Sequence, residues 1–169
     1  MHKKSLVVLI MLIVSIASAA CSSSNTSEEK TSHTVKEHQQ HSEHVSGDIK
    51  EETASNEILP GFLKDKSEDM QVIYASVAQN KELLENIPCY CGCGESAGHT
   101  NNYDCFIYEN KKDGKVVWDD HGTKCGVCLE IAAQSVSDLK AGKSIKQIRQ
   151  SIDEKYKSGY AQPTPTPEV

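Results

Sequence analysis

Three cysteines fall within five consecutive positions of this chain, and their spacing limits how that segment can fold. The segment reads Pro-Cys-Tyr-Cys-Gly-Cys, residues 88–93. A disulfide between neighbouring members of the triplet would have to close across one residue, where the Cα atoms of an extended chain lie about 6.5–7 Å apart. That separation is at the outer limit of disulfide geometry. Each of these sulfurs therefore needs a distant partner or a different role.

Three further cysteines follow the triplet, and the last two form a Cys-x-x-Cys pair at a predicted helix start. This pair, Cys125 and Cys128, places two sulfurs over one helical turn, where the helix dipole favours the thiolate form that binds metal. Two histidines are close in sequence to these groups. The predicted metal ligands are Cys89, Cys91, Cys93, Cys105, Cys125, Cys128, His99 and His121.

The sequence alone leaves three interpretations of these cysteines open. Six sulfurs with two imidazoles suit a multinuclear Cu(I)–thiolate site or one or two tetrahedral Zn(II) sites, and Cu(I) is the softer match. An even number of cysteines in an exported domain also fits a disulfide framework, with three long-range bridges from the triplet. Cys-Gly-Val-Cys has the local form of a dithiol redox site, although the strand and helix alternation of thioredoxin is missing. We expect soft-metal binding.

The histidines also have alternative roles. His99 is either a ligand or a turn residue that contacts the backbone, and His121 is either a ligand or a helix-capping residue held by the adjacent aspartates. Four more histidines lie within residues 21–57, where their imidazoles would weakly hold a metal ion or simply be solvated. These are His33, His38, His41 and His44.

The first twenty residues have the features of a signal peptide. Lys3 and Lys4 precede an apolar run over residues 6–17, and small residues then lead to Cys21. The run is short for a membrane span. Cleavage before Cys21 would allow that thiol to carry a diacylglyceryl group, whereas cleavage after Ala19 would release the protein. We expect residues 1–20 to be removed and Cys21 to be lipidated, on the extracytoplasmic face of the cell membrane.

Two segments of the mature chain have the composition of disordered regions. Residues 21–57 are almost free of large apolar residues and cannot bury enough surface to offset the entropy of ordering, so they are predicted to be a tether. Residues 159–169 are rich in proline and are predicted to be an extended tail. The folded, cysteine-rich domain is then predicted over residues 58–158.

Within this domain the apolar pattern is mostly helical. We predict a helix from Ser67 to Asn80, a second one ended by Pro88, a third over about 121–140 and a fourth after Ser144. Two β-prone segments, 103–108 and 115–118, flank an Asp-Gly turn signal and predict a hairpin. The predicted fold class is mostly α: three to four helices with a short β-hairpin and a cysteine-rich loop, preceded by a disordered tether.

Charge and motifs argue against several functions. The net charge is −6, and removal of residues 1–20 takes away two lysines and no acidic residue, which gives −8. An acidic chain gains little from phosphate groups, so nucleic-acid binding is not expected. The sequence contains no Gly-rich phosphate loop, no His-Glu-x-x-His helix and no nucleophile elbow, and it does not indicate an enzyme.

Three stretches resemble the PCYCGC-motif lipoproteins of Bacillus-like Gram-positive bacteria. They are LENIPCYCGCGESAGHTNNYDCFI, WDDHGTKCGVCLEIA and IRQSIDEKY, and the resemblance covers the signal region and residues 58–157. It implies an exported, lipid-anchored protein with an α-rich domain. By motif match, the six domain cysteines are the signature cysteines, with His99 and His121 in adjoining matched segments.

From these observations we expect a membrane-anchored, extracytoplasmic protein that binds a soft metal, Cu(I) rather than Zn(II). Its role would be metal buffering, sensing or delivery, with a metal-accepting or metal-donating protein as partner. The alternatives are a disulfide-stapled, non-catalytic interaction domain and a thiol-disulfide oxidoreductase.

Overall fold

The computed structural model describes residues 47–169, and it confirms the mostly helical fold with a small antiparallel sheet. The predicted signal peptide, Cys21 and the four tether histidines lie outside the described residues. The helices are α1 (Glu68–Gln79), α2 (Lys81–Glu85), the single turn α3 (Gly94–Ala97), α4 (Gly126–Lys140) and α5 (Ile145–Tyr156). The strands are β1 (Lys50–Thr53), β2 (Ile107–Asn110) and β3 (Val116–Asp119).

The helix starts that were predicted from capping signals are confirmed. The Ser67 hydroxyl accepts a hydrogen bond from the Met70 N–H at the start of α1. At α5, Ser144 and Gln147 form a complete capping box, in which each side chain accepts from the backbone N–H of the other residue. The α5 stripe of Ile148, Ile152 and Tyr156 is buried, as its helical spacing predicts.

The third predicted helix begins later than the sequence suggested. Residues Asp120–Lys124 form a 3-10 helix, Cys125 is extended, and α4 starts only at Gly126. The Asp119 carboxylate caps the 3-10 turn by accepting from the His121 N–H at 2.9 Å. Because of this break, His121 lies in the 3-10 helix and outside α4. Cys125 is the residue that precedes α4.

The sheet has the strand order β1-β3-β2, with both pairs antiparallel. The β2–β3 hairpin was predicted, but β1 was not, because it lies within residues 21–57, the segment assigned to the tether. Its register pairs Lys50 with Asp119 and Thr53 with Val116. An edge strand hydrogen-bonds on one side only and tolerates polar side chains, which is why its composition does not reveal it. The domain thus begins before residue 58.

The core packs α1 against the turn that carries His121. The Tyr74 ring meets the Phe106 ring edge-to-face, with ring centroids 4.9 Å apart, and the Tyr74 hydroxyl donates to the Asp119 carbonyl at 2.9 Å. Gly122 lies against Phe106 so closely that an added Cβ would be 2.6 Å from the ring. These contacts fix the 3-10 turn on the core and so determine where His121 lies.

Residues 161–169 of the C-terminal tail form no helix or strand, and the tail contacts the cysteine segment. The Thr164 N–H donates to the Cys89 carbonyl at 3.0 Å, and the Cys89 N–H donates to the Thr164 hydroxyl at 2.8 Å. The Ala161 N–H donates to the Tyr90 carbonyl at 3.3 Å. This contact was not predicted from composition. Across residues 47–169, no helix has the length and apolar character needed to span a bilayer.

Candidate metal centre

The triplet curls so that its three sulfurs lie side by side. The Cys89 and Cys91 sulfurs are 3.0 Å apart, and the Cys91 and Cys93 sulfurs are 2.9 Å apart. Gly92 makes this possible because it has φ +82°, in the left-handed region that side chains disfavour. In an extended segment, alternate Cα atoms would lie about 6.5–7 Å apart. The turn at Gly92 therefore brings the three sulfurs together.

The start of α4 is fastened to the segment that precedes the triplet. The Cys89 sulfur lies 3.3 Å from the Cys128 sulfur. Asn102, which is fully buried, links the two parts: its backbone N–H donates to the Ile87 carbonyl at 2.8 Å, and its Nδ2 donates to the Cys128 carbonyl at 3.2 Å. Sequence analysis did not identify Asn102, because one amide in a polar loop carries no distinctive signal.

All six cysteines and His121 meet in three ligand groups. In each group the three ligand atoms lie within 4.8 Å of one another, a separation at which they could hold a metal ion. We call them the inner, middle and outer groups, and together the cysteine cluster. They are Cys89, Cys105 and Cys128 (inner); Cys91, Cys125 and Cys128 (middle); and Cys91, Cys93 and His121 (outer).

The second predicted histidine lies beside the cluster and outside the three groups. The His99 ring is buried and meets the His121 ring edge-to-face, with centroids 4.6 Å apart. Its Nε2 is 3.9 Å from the Asp119 carboxylate, and its Nδ1 is buried without a hydrogen-bond partner among the described residues. His99 falls instead into a group with Asp48 and His121.

Asp48 is a further site residue that the sequence did not reveal. Its carboxylate lies 2.9 Å from His121 Nδ1, while the opposite ring nitrogen, Nε2, lies 3.1 Å from the Cys93 sulfur. A carboxylate behind a ligating imidazole fixes the ring orientation and the tautomer. Lys124 donates to the other Asp48 oxygen at 3.1 Å. Asp48 lies in the segment assigned to the tether, and only the pairing of β1 with β3 brings it here.

Two of the sulfurs have lowered pKa values. The pKa of Cys91 is lowered by the neighbouring Cys128 and Cys89, and the Cys89 thiol donates to its sulfur at 3.0 Å. The pKa of Cys105 is lowered by the same two neighbours, and the nearby His99 adds to the effect. Cys128 and Cys89 have raised pKa values, chiefly because of the neighbouring Cys105. Cys91 and Cys105 therefore favour the thiolate form more strongly than Cys89 and Cys128 do.

The outer group combines a protonated imidazole with a neutral thiol. The nearby Cys91 sulfur raises the pKa of His121 to about 9; burial opposes this rise and Asp48 adds to it. Burial, together with the Cys91 thiolate, raises the pKa of Cys93 to about 12. At neutral pH, His121 therefore carries a positive charge next to the Cys91 thiolate.

The second thiolate is compensated in the same way. Burial alone would lower the pKa of His99, but Asp119 and the Cys105 thiolate outweigh it and raise the value to about 10. Burial likewise raises the pKa of Asp119, but the nearby His99 and the hydrogen bond from Lys50 outweigh it and bring the value down to about 2. The positive charges of the two imidazolium groups thus compensate the negative charges of the two thiolates in the metal-free cluster.

The sulfur separations are too long for disulfide bonds. The contacts of 2.9–3.3 Å exceed the disulfide bond length of about 2.05 Å, and the six cysteines of the described region are free. Cys89 and Cys91 each contact two other sulfurs, whereas a disulfide framework uses one partner for each sulfur. The buried sulfurs are therefore arranged as groups of ligands that could bind a metal.

Comparison with known protein families places the chain in a family. A family model described as a protein of unknown function with PCYCGC motif matches residues 10–169, nearly the whole chain. This confirms the resemblance seen in the cysteine motif and its flanking segments. No curated protein and no solved structure matches the chain.

Proposed function

We propose that this chain, which belongs to the PCYCGC-motif family, binds soft metal ions, and Cu(I) above all, through its cysteine cluster. One observation carries the proposal: six sulfurs from three separate parts of the sequence meet in overlapping groups whose ligand atoms lie within 4.8 Å. Soft thiolate ligands favour Cu(I) and Zn(II) over the hard cations that prefer oxygen. The burial of the inner sulfurs supports retention of a bound ion.

The number of ligands in each group favours Cu(I) over Zn(II). Each group offers three ligands, whereas structural Zn(II) sites have four in a tetrahedral arrangement. Cu(I) is stable with two or three sulfur ligands and is the softer ion. The lowered pKa values of Cys91 and Cys105 also favour metal binding, because a thiol must lose its proton to bind a metal ion.

We further propose that the protein acts at the extracytoplasmic face of the cell membrane, anchored through lipidated Cys21. The support is in the sequence: a basic start, an apolar run over residues 6–17 and small residues before the cysteine. At that location the cluster would buffer or sense metal, or exchange it with a metal-accepting or metal-donating protein. We propose no catalytic role.

The test is a metal and thiol inventory of full-length protein recovered from its native membrane under anaerobic conditions. We expect bound copper by elemental analysis, ultraviolet copper–thiolate absorption, and displacement of added Zn(II) by Cu(I). Three disulfides with no metal would refute the proposal in favour of the stapled domain. Reduction of insulin by the metal-free protein would support the oxidoreductase instead.

A matched pair of variants separates anchoring from metal binding. Cys21→Ser removes the one cysteine outside the cluster, so copper binding should be unchanged while the protein is released from the membrane. Cys91→Ser removes a sulfur shared by two ligand groups, so copper binding should fall while membrane attachment is retained. A loss of copper in Cys21→Ser would show that the anchor cysteine, and not the cluster, holds the metal.

A further inference from the structure

The three ligand groups share members. Cys128 belongs to both the inner and the middle group, and Cys91 belongs to both the middle and the outer group. A thiolate sulfur has more than one lone pair and can bind two soft cations at once. If all three groups are used, these two sulfurs must act as bridges, because neither group of a pair is complete without the shared residue.

We propose that the cysteine cluster is a chain of three Cu(I) positions, joined by bridging thiolates at Cys128 and Cys91, with one end for storage and one for exchange. This inference rests on the proposed function and adds the number of ions, their order and the place of transfer. Binding is ligand exchange: copper stays Cu(I), and the thiol and imidazolium protons are released to solvent.

The spacing of the sulfurs fits such a chain. Three sulfurs around one ion, with bonds of about 2.3 Å, lie about 4 Å from one another. The ligand atoms of each group already lie within 4.8 Å, and the closest sulfurs are 2.9–3.3 Å apart. Loading therefore requires the closest sulfurs within a group, Cys91 with Cys93 and Cys89 with Cys128, to separate by about 1 Å. The backbone of the triplet and the start of α4 can stay in place.

The groups differ in burial from one end of the chain to the other. The inner sulfurs are buried, with exposed fractions of 1% for Cys89 and 0% for Cys105 and Cys128. Cys91, Cys93 and His121 in the outer group are all half-buried. An incoming thiolate or imidazole of a partner protein can therefore reach an ion in the outer position first. An ion in the inner position must pass through the shared sulfurs to leave.

The outer group also differs in chemistry. It is the only one of the three groups with a nitrogen ligand, and that ligand is oriented by Asp48. Imidazole is a harder and neutral donor, so it holds Cu(I) less tightly than a third thiolate does. Burial and ligand type thus both make the outer position the most readily emptied.

The test is an anaerobic Cu(I) titration of the reduced full-length chain, followed by native mass spectrometry. Wild type should bind three ions, one for each group. The informative pair is Cys93→Ser and Cys91→Ser, since both residues are half-buried and are two positions apart. Cys93 belongs to one group and Cys91 to two, so the first variant should lose one ion and the second should lose two. Circular dichroism verifies that each variant is folded.

The rate of transfer to a Cu(I) chelator tests which of the three Cu(I) positions exchanges its ion first. Wild type should lose its first ion at least about tenfold faster than the other two, as expected when one oriented imidazole ligand is weaker. This fast phase should be absent in Cys93→Ser and in His121→Asn. Its persistence in both variants would refute the outer position as the exchange end.

The outcomes distinguish the two proposals. A maximum other than three ions, or equal losses in Cys91→Ser and Cys93→Ser, would refute the chain and leave soft-metal binding intact. Binding of no Cu(I) by folded, reduced wild type would refute the proposed function itself.

Discussion

At the scale of single residues, two histidines and two aspartates decide the chemistry of the cysteine cluster. Asp48 contacts His121, and Asp119 is paired with His99. The histidines in turn stabilise the Cys91 and Cys105 thiolates. The sulfurs are the candidate ligands, but the carboxylates determine how the imidazoles are oriented and charged. Both aspartates can be tested without altering a sulfur.

Replacement of Asp48 by Asn should weaken metal binding at the outer group. The amide retains the size of the carboxylate but loses its charge, so it holds His121 less firmly in the orientation that directs Nε2 to Cys93. Loss of such a supporting carboxylate typically costs about 10–100-fold in metal affinity. Competition with a Cu(I) chelator measures the change. Asp65→Asn, at an exposed position, is the matched control and should leave the affinity unchanged.

Asp119 should contribute to stability in a way that disappears in acid. Its pKa is lowered from 3.8 to about 2, so the folded state favours the carboxylate, and the contribution is present above about pH 4 and is lost as the pH falls through about 2. In the metal-free protein, the difference in unfolding free energy between wild type and Asp119→Asn should be constant at neutral pH and shrink below pH 4. Urea unfolding at several pH values measures it. A difference that is independent of pH would contradict this assignment.

At the scale of elements, a few hydrogen bonds hold the tail against the cysteine segment. Thr164 exchanges two hydrogen bonds with Cys89, and Arg149 on α5 donates to the Thr166 hydroxyl at 2.6 Å. The prolines between these residues have no N–H to pair, so only a few positions hold the tail. The close approach depends on Gly94, where an added Cβ would lie 2.5 Å from the Thr164 methyl group.

Gly94→Ala should therefore detach the tail from the cysteine segment. The added methyl group has no room, and the tail side chain is the part that can move. We expect faster hydrogen exchange at the Cys89 and Thr164 amides and faster alkylation of Cys91 in the metal-free protein. Gly126→Ala is the matched control, because a Cβ there meets nothing within 4 Å. Equal exchange rates in the two variants would show that the tail is not held at this point.

At the scale of the whole molecule, the cluster joins parts of the chain that are distant in sequence. The triplet follows α2, Cys105 precedes the hairpin, and Cys125 and Cys128 are at the start of α4. The β1 strand adds Asp48 from the N-terminal side, and the tail covers the triplet from the C-terminal side. A metal bound among these elements would link most of the domain, so metal binding and global stability should be coupled.

Cu(I) should accordingly raise the melting temperature of the reduced full-length chain. A ligand that binds only the folded state at a thousand times its dissociation constant stabilises that state by about 4 kcal/mol. For a domain of this size, each kcal/mol corresponds to roughly 4 °C or more. Trp118, the one tryptophan of the chain, is buried and reports unfolding by fluorescence. Mg²⁺, a hard cation, is the control and should give no shift.

The helices and the identity of the candidate ligands were predictable because their signals are local. Ser67 and Ser144 mark helix starts through side chains that bond within three residues, and the α5 stripe repeats at the helical period. The cysteines stand out by spacing alone. Local energetics determine these features, so they can be recognised without knowledge of the rest of the fold.

Tertiary structure alone decided which sulfurs become neighbours and which charges accompany them. β1 is polar and gains its stability by pairing with β3, so the composition of residues 48–53 does not show that they belong to the domain. For the same reason, the sequence does not show that Asp48 is the partner of His121. Asn102 and the tail act through contacts with residues far away in sequence. The sequence by itself determined the candidate ligands, the helices and the family. The grouping of those ligands depends on long-range packing and hydrogen bonds, which exist only once the chain has folded.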